Sequence, residues 1–89
     1  MNIERFTKYK DQDFKIDFDG DLKDARLREV ISLSDGKTHS LIFQTINYLE
    51  VKEQRIYSFK WPDGSATEEL FIVPISQDEQ GTKYEVVLN

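Results

Sequence analysis

The sequence predicts an all-β fold: a compact antiparallel barrel or sandwich of about six strands, with a short N-terminal helical turn, as a single domain spanning residues 1–89. Three observations predict it. Apolar and polar residues alternate in short runs, the signature of half-buried strands. The runs are separated by Asp-Gly and Pro-Asp-Gly clusters suited to tight turns. Aromatic residues make up 12% of an 89-residue chain, enough large rings to fill a small core.

The elements follow in order. Ile3, Phe6 and Tyr9 recur every third residue, and Asn2 is placed to cap a helical turn that lays Ile3 and Phe6 over a sheet face or barrel mouth. Phe14, Ile16 and Phe18 alternate with Lys15 and Asp17 in a first strand, and Asp19-Gly20 turns the chain. The second strand covers about 24–33, with Ala25, Leu27, Ile31 and Leu33 on one face. Glu29 interrupts that face while Val30 appears on the other, so a bulge or twist is expected there. After the turn Ser34–Lys37, His39, Leu41 and Phe43 mark a third strand. Residues 46–54 read as a long loop or a short helical turn. A fourth strand, about 55–61, sets Tyr57, Phe59 and Trp61 on one face, and Pro62-Asp63-Gly64 ends it in a turn. The fifth, about 67–75, is apolar on both faces through Leu70-Phe71-Ile72-Val73, the pattern of a central strand covered on two sides. Pro74 should lie at its end or face an unpaired side. Tyr84, Val86 and Leu88 form a sixth strand, its hairpin partner.

Composition narrows the function classes. The chain has no cysteine, hence no disulfide and no thiolate chemistry. Its opening, MNIERFTKYK, carries charge where a signal peptide needs an apolar core, and no run approaches a membrane span. A cytoplasmic protein with no membrane partner is the expectation. The net charge of −5 sits wholly in residues 62–89, which hold six acids against the single base Lys83. That opposes phosphate-backbone contacts, so no nucleic-acid partner is expected.

The candidate sites for chemistry are weak. His39 is the only histidine and has no Cys or second His to join it in a metal or nucleophile site. The stretch DFDGD, Asp17 to Asp21, offers carboxylates at alternate positions, but its glycine comes fourth and its twelfth position is Arg28, unlike a calcium loop. It reads as a solvated hairpin turn. The acid pairs Glu68-Glu69 and Asp78-Glu79 lack apolar neighbours that would raise a pKa. No cofactor, metal or catalytic residue is expected.

Trp61 and Tyr48 stand out more. Trp61 precedes a hairpin tip beside Lys60, and Tyr48 and Leu49 lie in the middle loop. Apolar residues in such places are lids on the core, the commoner role, or anchors for a partner. As anchors, Tyr48, Leu49, Lys60 and Trp61 would form one interaction surface.

The run YSFKWPDGSATEELFIVPISQDEQGTKYEVVLN is similar to the C-terminal part of a family of small bacterial domains of unknown function, the DUF6916-type domain. The matching features are Tyr57 and Pro62, Leu70-Phe71-Ile72-Val73-Pro74, Asp78 with Gly81, and Tyr84-Glu85 with Val87-Leu88-Asn89. Phe6, Phe14, Leu27, Glu29-Val30 and Leu41 fit the rest of the pattern more loosely. Two positions depart from it: Asp11 and Arg55 stand where glycines are usual. The resemblance implies no catalytic residues, and it favours a structural or assembly role in a bacterial, phage-tail-like particle. It also implies that Asp78 bonds backbone amides in its loop and that Gly81 serves a turn.

The expected function is therefore a non-enzymatic interaction or structural module that binds a protein partner or itself. The alternative is a small-ligand binder or enzyme using a barrel-mouth pocket near His39.

Overall fold

Alternation along the chain becomes the wall of a closed barrel. The computed structural model describes residues 3–89, so the expected cap at Asn2 lies outside the described residues. The elements are α1 (Ile3–Lys8), β1 (Asp13–Phe18), β2 (Asp21–Ser32), β3 (His39–Thr45), β4 (Arg55–Lys60), β5 (Thr67–Gln77) and β6 (Thr82–Leu88). The strands close in the order β1-β2-β3-β6-β5-β4, all neighbours antiparallel. The closing pair, β1 with β4 from Lys15↔Lys60 to Asp17↔Ser58, makes this a barrel and not a sandwich. No helix of the described residues is long and apolar enough to cross a membrane.

Period two puts one side of every strand inside. Phe14, Ile16, Phe18, Leu41, Phe43, Tyr57, Phe59, Tyr84 and Val86 are all buried in one core cluster. Phe43 meets Phe14 edge-on at 5.1 Å and Phe59 at 4.8 Å between ring centroids. Each such pair adds about 0.5–1.5 kcal/mol beyond the area it buries.

The expected bulge in the second strand lies between Leu27 and Glu29. It inserts Arg28 without a partner and reverses the parity of the residues beyond it. Val30 therefore stands opposite Leu41 and packs on the core, whereas Ile31, assigned inward by the sequence, is exposed. Without the extra residue Glu29 would point into the barrel.

One end of the barrel is plugged by α1. Phe6 is fully buried and its ring lies 4.6 Å from that of Trp61. The chain then returns to β2 through Asp11 N–H to the Leu27 carbonyl, 2.7 Å, and Leu27 N–H to the Gln12 carbonyl, 3.0 Å. Asp11 adopts φ 67°, a left-handed conformation that glycine takes without strain, which accounts for the glycine of the family pattern. The Asp19-Gly20 turn is as expected, with φ 57° and 97°, and Gly20 N–H donates to the Asp17 carboxylate at 2.6 Å.

Residues 46–54 form neither helix nor strand. They cross the other end of the barrel, where Tyr48 bridges Gly81 and its ring stacks on Phe18 at 6.0 Å. Lys52 N–H donates to the Tyr84 hydroxyl at 2.9 Å, tying the loop to the core.

The fifth strand corrects the sequence reading. Leu70 and Ile72 are inside, but Phe71 is 49% exposed and Ile75 is exposed too, so β5 is not covered on both faces. The helix and the long loop are spent on the ends of the barrel, and neither lies over its wall. Pro74 lies within β5, past Ile72 where β4 stops pairing, so one side of it is open. A bulge separates it from Ser76.

Candidate functional site

The outer wall of β4, β5 and β6 carries apolar side chains where strand alternation would ordinarily place polar ones. Ile56 and Phe71 are register partners on β4 and β5, 55% and 49% exposed, and Val87 on β6 is 53% exposed. Between them the wall parts. β5 and β6 pair from Gln77↔Thr82 to Val73↔Glu85 and no further. β6 continues along β3 to His39↔Leu88, while β5 continues along β4 to Lys60↔Thr67. The space between them is a groove of about 420 Å³, lined by Ile56, Glu69, Phe71, Val86, Val87 and Leu88 among others.

The residues singled out as an interaction surface are distributed differently. Trp61 is 2% exposed, packed among Phe6, Tyr9 and Phe14 with the Arg5 guanidinium 4.1 Å over its ring. It is a core residue, because α1 covers the position that the sequence left open. Its indole N–H is buried and has no hydrogen-bond partner among the described residues. Tyr48, with the exposed Leu49 next to it in the chain, is at the other end, its ring over Phe18, and Phe14 and Phe18 stand about 13 Å apart along β1 at about 3.3 Å per residue. A single surface joining Trp61 to the 46–54 loop therefore does not form. Lys60 is exposed at the end of β4, opposite Lys15, whose charge is held by Asp24 at 2.6 Å.

Tyr48 is half-buried and electrostatically pinned. Its hydroxyl donates to Glu50 at 2.7 Å, which raises its pKa, and the ammonium groups of Lys23 and Lys52 lie 4.6 and 5.7 Å from its ring. Lys52 is pushed up to about 12, chiefly by its hydrogen bond with the Tyr48 hydroxyl and further by Glu50. Leu49 and Val51 beside it are exposed, a second and smaller apolar surface.

His39 begins β3 with Nδ1 3.1 Å from the Ser32 hydroxyl, an exposed cross-strand pair. The nearby Asp35 carboxylate is occupied by its own turn, accepting from the Lys37 and Thr38 N–H groups and the Thr38 hydroxyl. The carboxylates of DFDGD are likewise engaged: Asp17 with Gly20, Asp19 with the Arg55 guanidinium, and Asp21 with Lys23 at 3.5 Å. Arg55, one of the two departures from the family pattern, thus ties β4 to the first hairpin.

The Asp78–Gly81 loop is explained by packing. Asp78 Oδ1 accepts from Gln80 N–H at 2.8 Å, Gly81 N–H at 3.3 Å and Gln44 Nε2 at 3.0 Å. These bonds lower its pKa, the Gln80 amide most. Gly81 is not at positive φ; it lies so close to the Thr45 backbone that a Cβ would fall 1.7 Å from the Thr45 carbonyl oxygen. Close approach, and not the turn that the sequence suggested, requires the glycine there. Glu85 accepts from the Ser40 hydroxyl at 2.7 Å across the β3–β6 pair.

Sequence reasoning missed the outer face although its signal is present. Leu70-Phe71-Ile72-Val73 reads as a doubly covered strand, and Ile56 and Val87 stand at outward positions of theirs. No curated protein and no solved structure matches the chain. Residues 1–88 match the family model of DUF6916, a domain of unknown function, and the chain belongs to that family.

Proposed function

We propose that this protein works by contact, as a small non-enzymatic component of a larger protein assembly in the bacterial cytoplasm, and that the β4–β5–β6 face is its working surface. The observation that supports this most is the half-exposed cluster of Ile56, Phe71 and Val87 around the β5–β6 groove. Fully burying a large aliphatic or aromatic side chain is worth about 1.5–3 kcal/mol, so the half still exposed on these three amounts to about 2–5 kcal/mol available on association. The barrel interior, by contrast, is filled by side chains, and α1 lies over the end at which β2 carries Leu27 to Ser32 opposite His39. That leaves the mouth near His39 less room for a ligand than the outer face has for a partner.

The test is the solution mass of the protein, with capture from lysate of its own organism, for the native chain and for Phe71→Asp. The contact reading expects a defined oligomer or a stoichiometric partner that the variant loses at an unchanged melting temperature. Ile56→Lys should act alike. A native chain that stays monomeric and captures nothing refutes the proposal.

A further inference from the structure

We infer that the β4–β5 wall is the contact surface of a weak homodimer, in which Phe71 of each copy packs on Ile56 of the other and Glu69 pairs with Lys60 across a two-fold axis. This deepens the contact reading above and rests on it.

Four residues of this wall carry the inference. Ile56↔Phe71, Ser58↔Glu69 and Lys60↔Thr67 are alternate register pairs, so period two places all six on the outer face. Ile56 and Phe71 are half-exposed. Lys60 and Glu69 are exposed, and neither side chain has an ion pair or a hydrogen bond among the described residues. The outward charges around them are neutralised: Lys15 by Asp24, Arg26 by Asp13 and Arg55 by Asp19. Lys60 also stands directly opposite Lys15, and like charges so placed are destabilising. The wall therefore holds an apolar pair flanked by one unpaired cation and one unpaired anion.

A second copy supplies what each lacks. A two-fold interface is self-complementary: where residue i meets j, j meets i. An axis parallel to the strands and midway between β4 and β5 lays β4 of each copy over β5 of the other. Phe71 then faces the other copy's Ile56. Glu69 comes level with its Ser58, two residues and about 7 Å along the strand from its Lys60, a span that two long side chains bridge. Each contact is made twice. An axis along β5 itself would set each Glu69 against its own mate, so charge selects the first arrangement. One face thus contains both members of every pair, which favours a copy of this chain over an unlike protein. The net charge of −5 opposes association at long range, but that repulsion is screened beyond about 8–10 Å at physiological ionic strength.

Interfaces of less than about 1,200 Å² in total are transient, so the test is sedimentation equilibrium of the full chain from about 10 µM to about 1 mM. The variants are Lys60→Glu, Glu69→Lys, the two together, and Phe71→Asp. Each single charge variant turns both attractive pairs repulsive, and the double variant restores both with their signs exchanged. Lys60→Glu makes the chain more acidic and Glu69→Lys less so. An effect of net charge alone therefore moves dimerisation in opposite directions, whereas the pairing moves it in the same one. The homodimer expects a reversible native dimer whose Kd rises at least about five-fold in either single variant and returns to within about two-fold in the double, at unchanged melting temperatures. Phe71→Asp should abolish it. A native chain that is monomeric at the highest concentration overturns the inference. So do single variants that act in opposite directions or not at all, a double variant as weak as the singles, or a dimer that survives Phe71→Asp. If a partner captured from lysate is nonetheless lost with Phe71→Asp, only self-association falls and the contact reading stands; a native monomer that captures nothing ends both.

Discussion

Replacing Gly81 with alanine tests the reading that this glycine serves a close approach and not a conformation. The added methyl would fall 1.7 Å from the Thr45 carbonyl oxygen, 2.7 Å from its carbonyl carbon and 2.9 Å from its Oγ1. Ordinary contact begins near 3.4 Å, so two backbone segments must move apart by well over an ångström. Thr45 is fully buried, and its hydroxyl both accepts from Thr82 N–H and donates to the Tyr48 carbonyl, each at 2.9 Å. Overpacking costs about 1–3 kcal/mol, and each of these two hydrogen bonds about 1 kcal/mol if lost. The sum, about 3–5 kcal/mol, is a large part of the roughly 4–13 kcal/mol that a domain of this size possesses. At about 4–8 °C per kcal/mol the melting temperature should fall by about 12–40 °C. Gly20→Ala is the comparison, because a Cβ there meets nothing within 4 Å but φ is +97°. Its cost is conformational, about 1–2 kcal/mol. Thermal and urea unfolding followed by circular dichroism measure both. A Gly81→Ala protein that melts within about 5 °C of the native one, or no lower than Gly20→Ala, would refute the reasoning.

Two further outcomes are expected of the same structure. Trp61→Ala should cost about 3–5 kcal/mol as a core truncation, whereas Trp61→Phe should cost less than half of that, since it keeps a ring beside Phe6 and removes the unpartnered indole N–H; equal urea midpoints for the two variants would contradict this. The Thr38 hydroxyl, with the Thr38 and Lys37 N–H groups, lowers the Asp35 carboxyl from 3.8 to about 2. Because the folded pKa is the lower one, this stabilisation is full above about pH 4 and is lost as the pH falls towards about 2. Asp35→Asn should therefore flatten the acid limb of the urea midpoint between pH 4 and 2, and parallel limbs for variant and native chains would contradict the assignment.

What the chain determines by itself is local. Period-two alternation marked the strands, Asp19-Gly20 specified its turn through positive φ, and the misplaced Glu29-Val30 pair announced the bulge that keeps a carboxylate out of the core. These are properties of neighbouring residues, and they survive any arrangement of the strands. Tertiary structure decided the rest. Trp61 looks alike in sequence whether a helix covers it or a partner does, and only the docking of Phe6 answers that. Gly81 reads as a turn residue until Thr45, distant in the chain, is brought against it. Leu70-Phe71-Ile72-Val73 specifies two apolar faces but not what lies over them. Closure of the barrel gave one face to the core, and the parting of β5 from β6 left the other at the edge of an open groove. The physical reason is common to all three: local geometry sets which way a side chain points, whereas what it meets depends on segments that only the closed fold brings near.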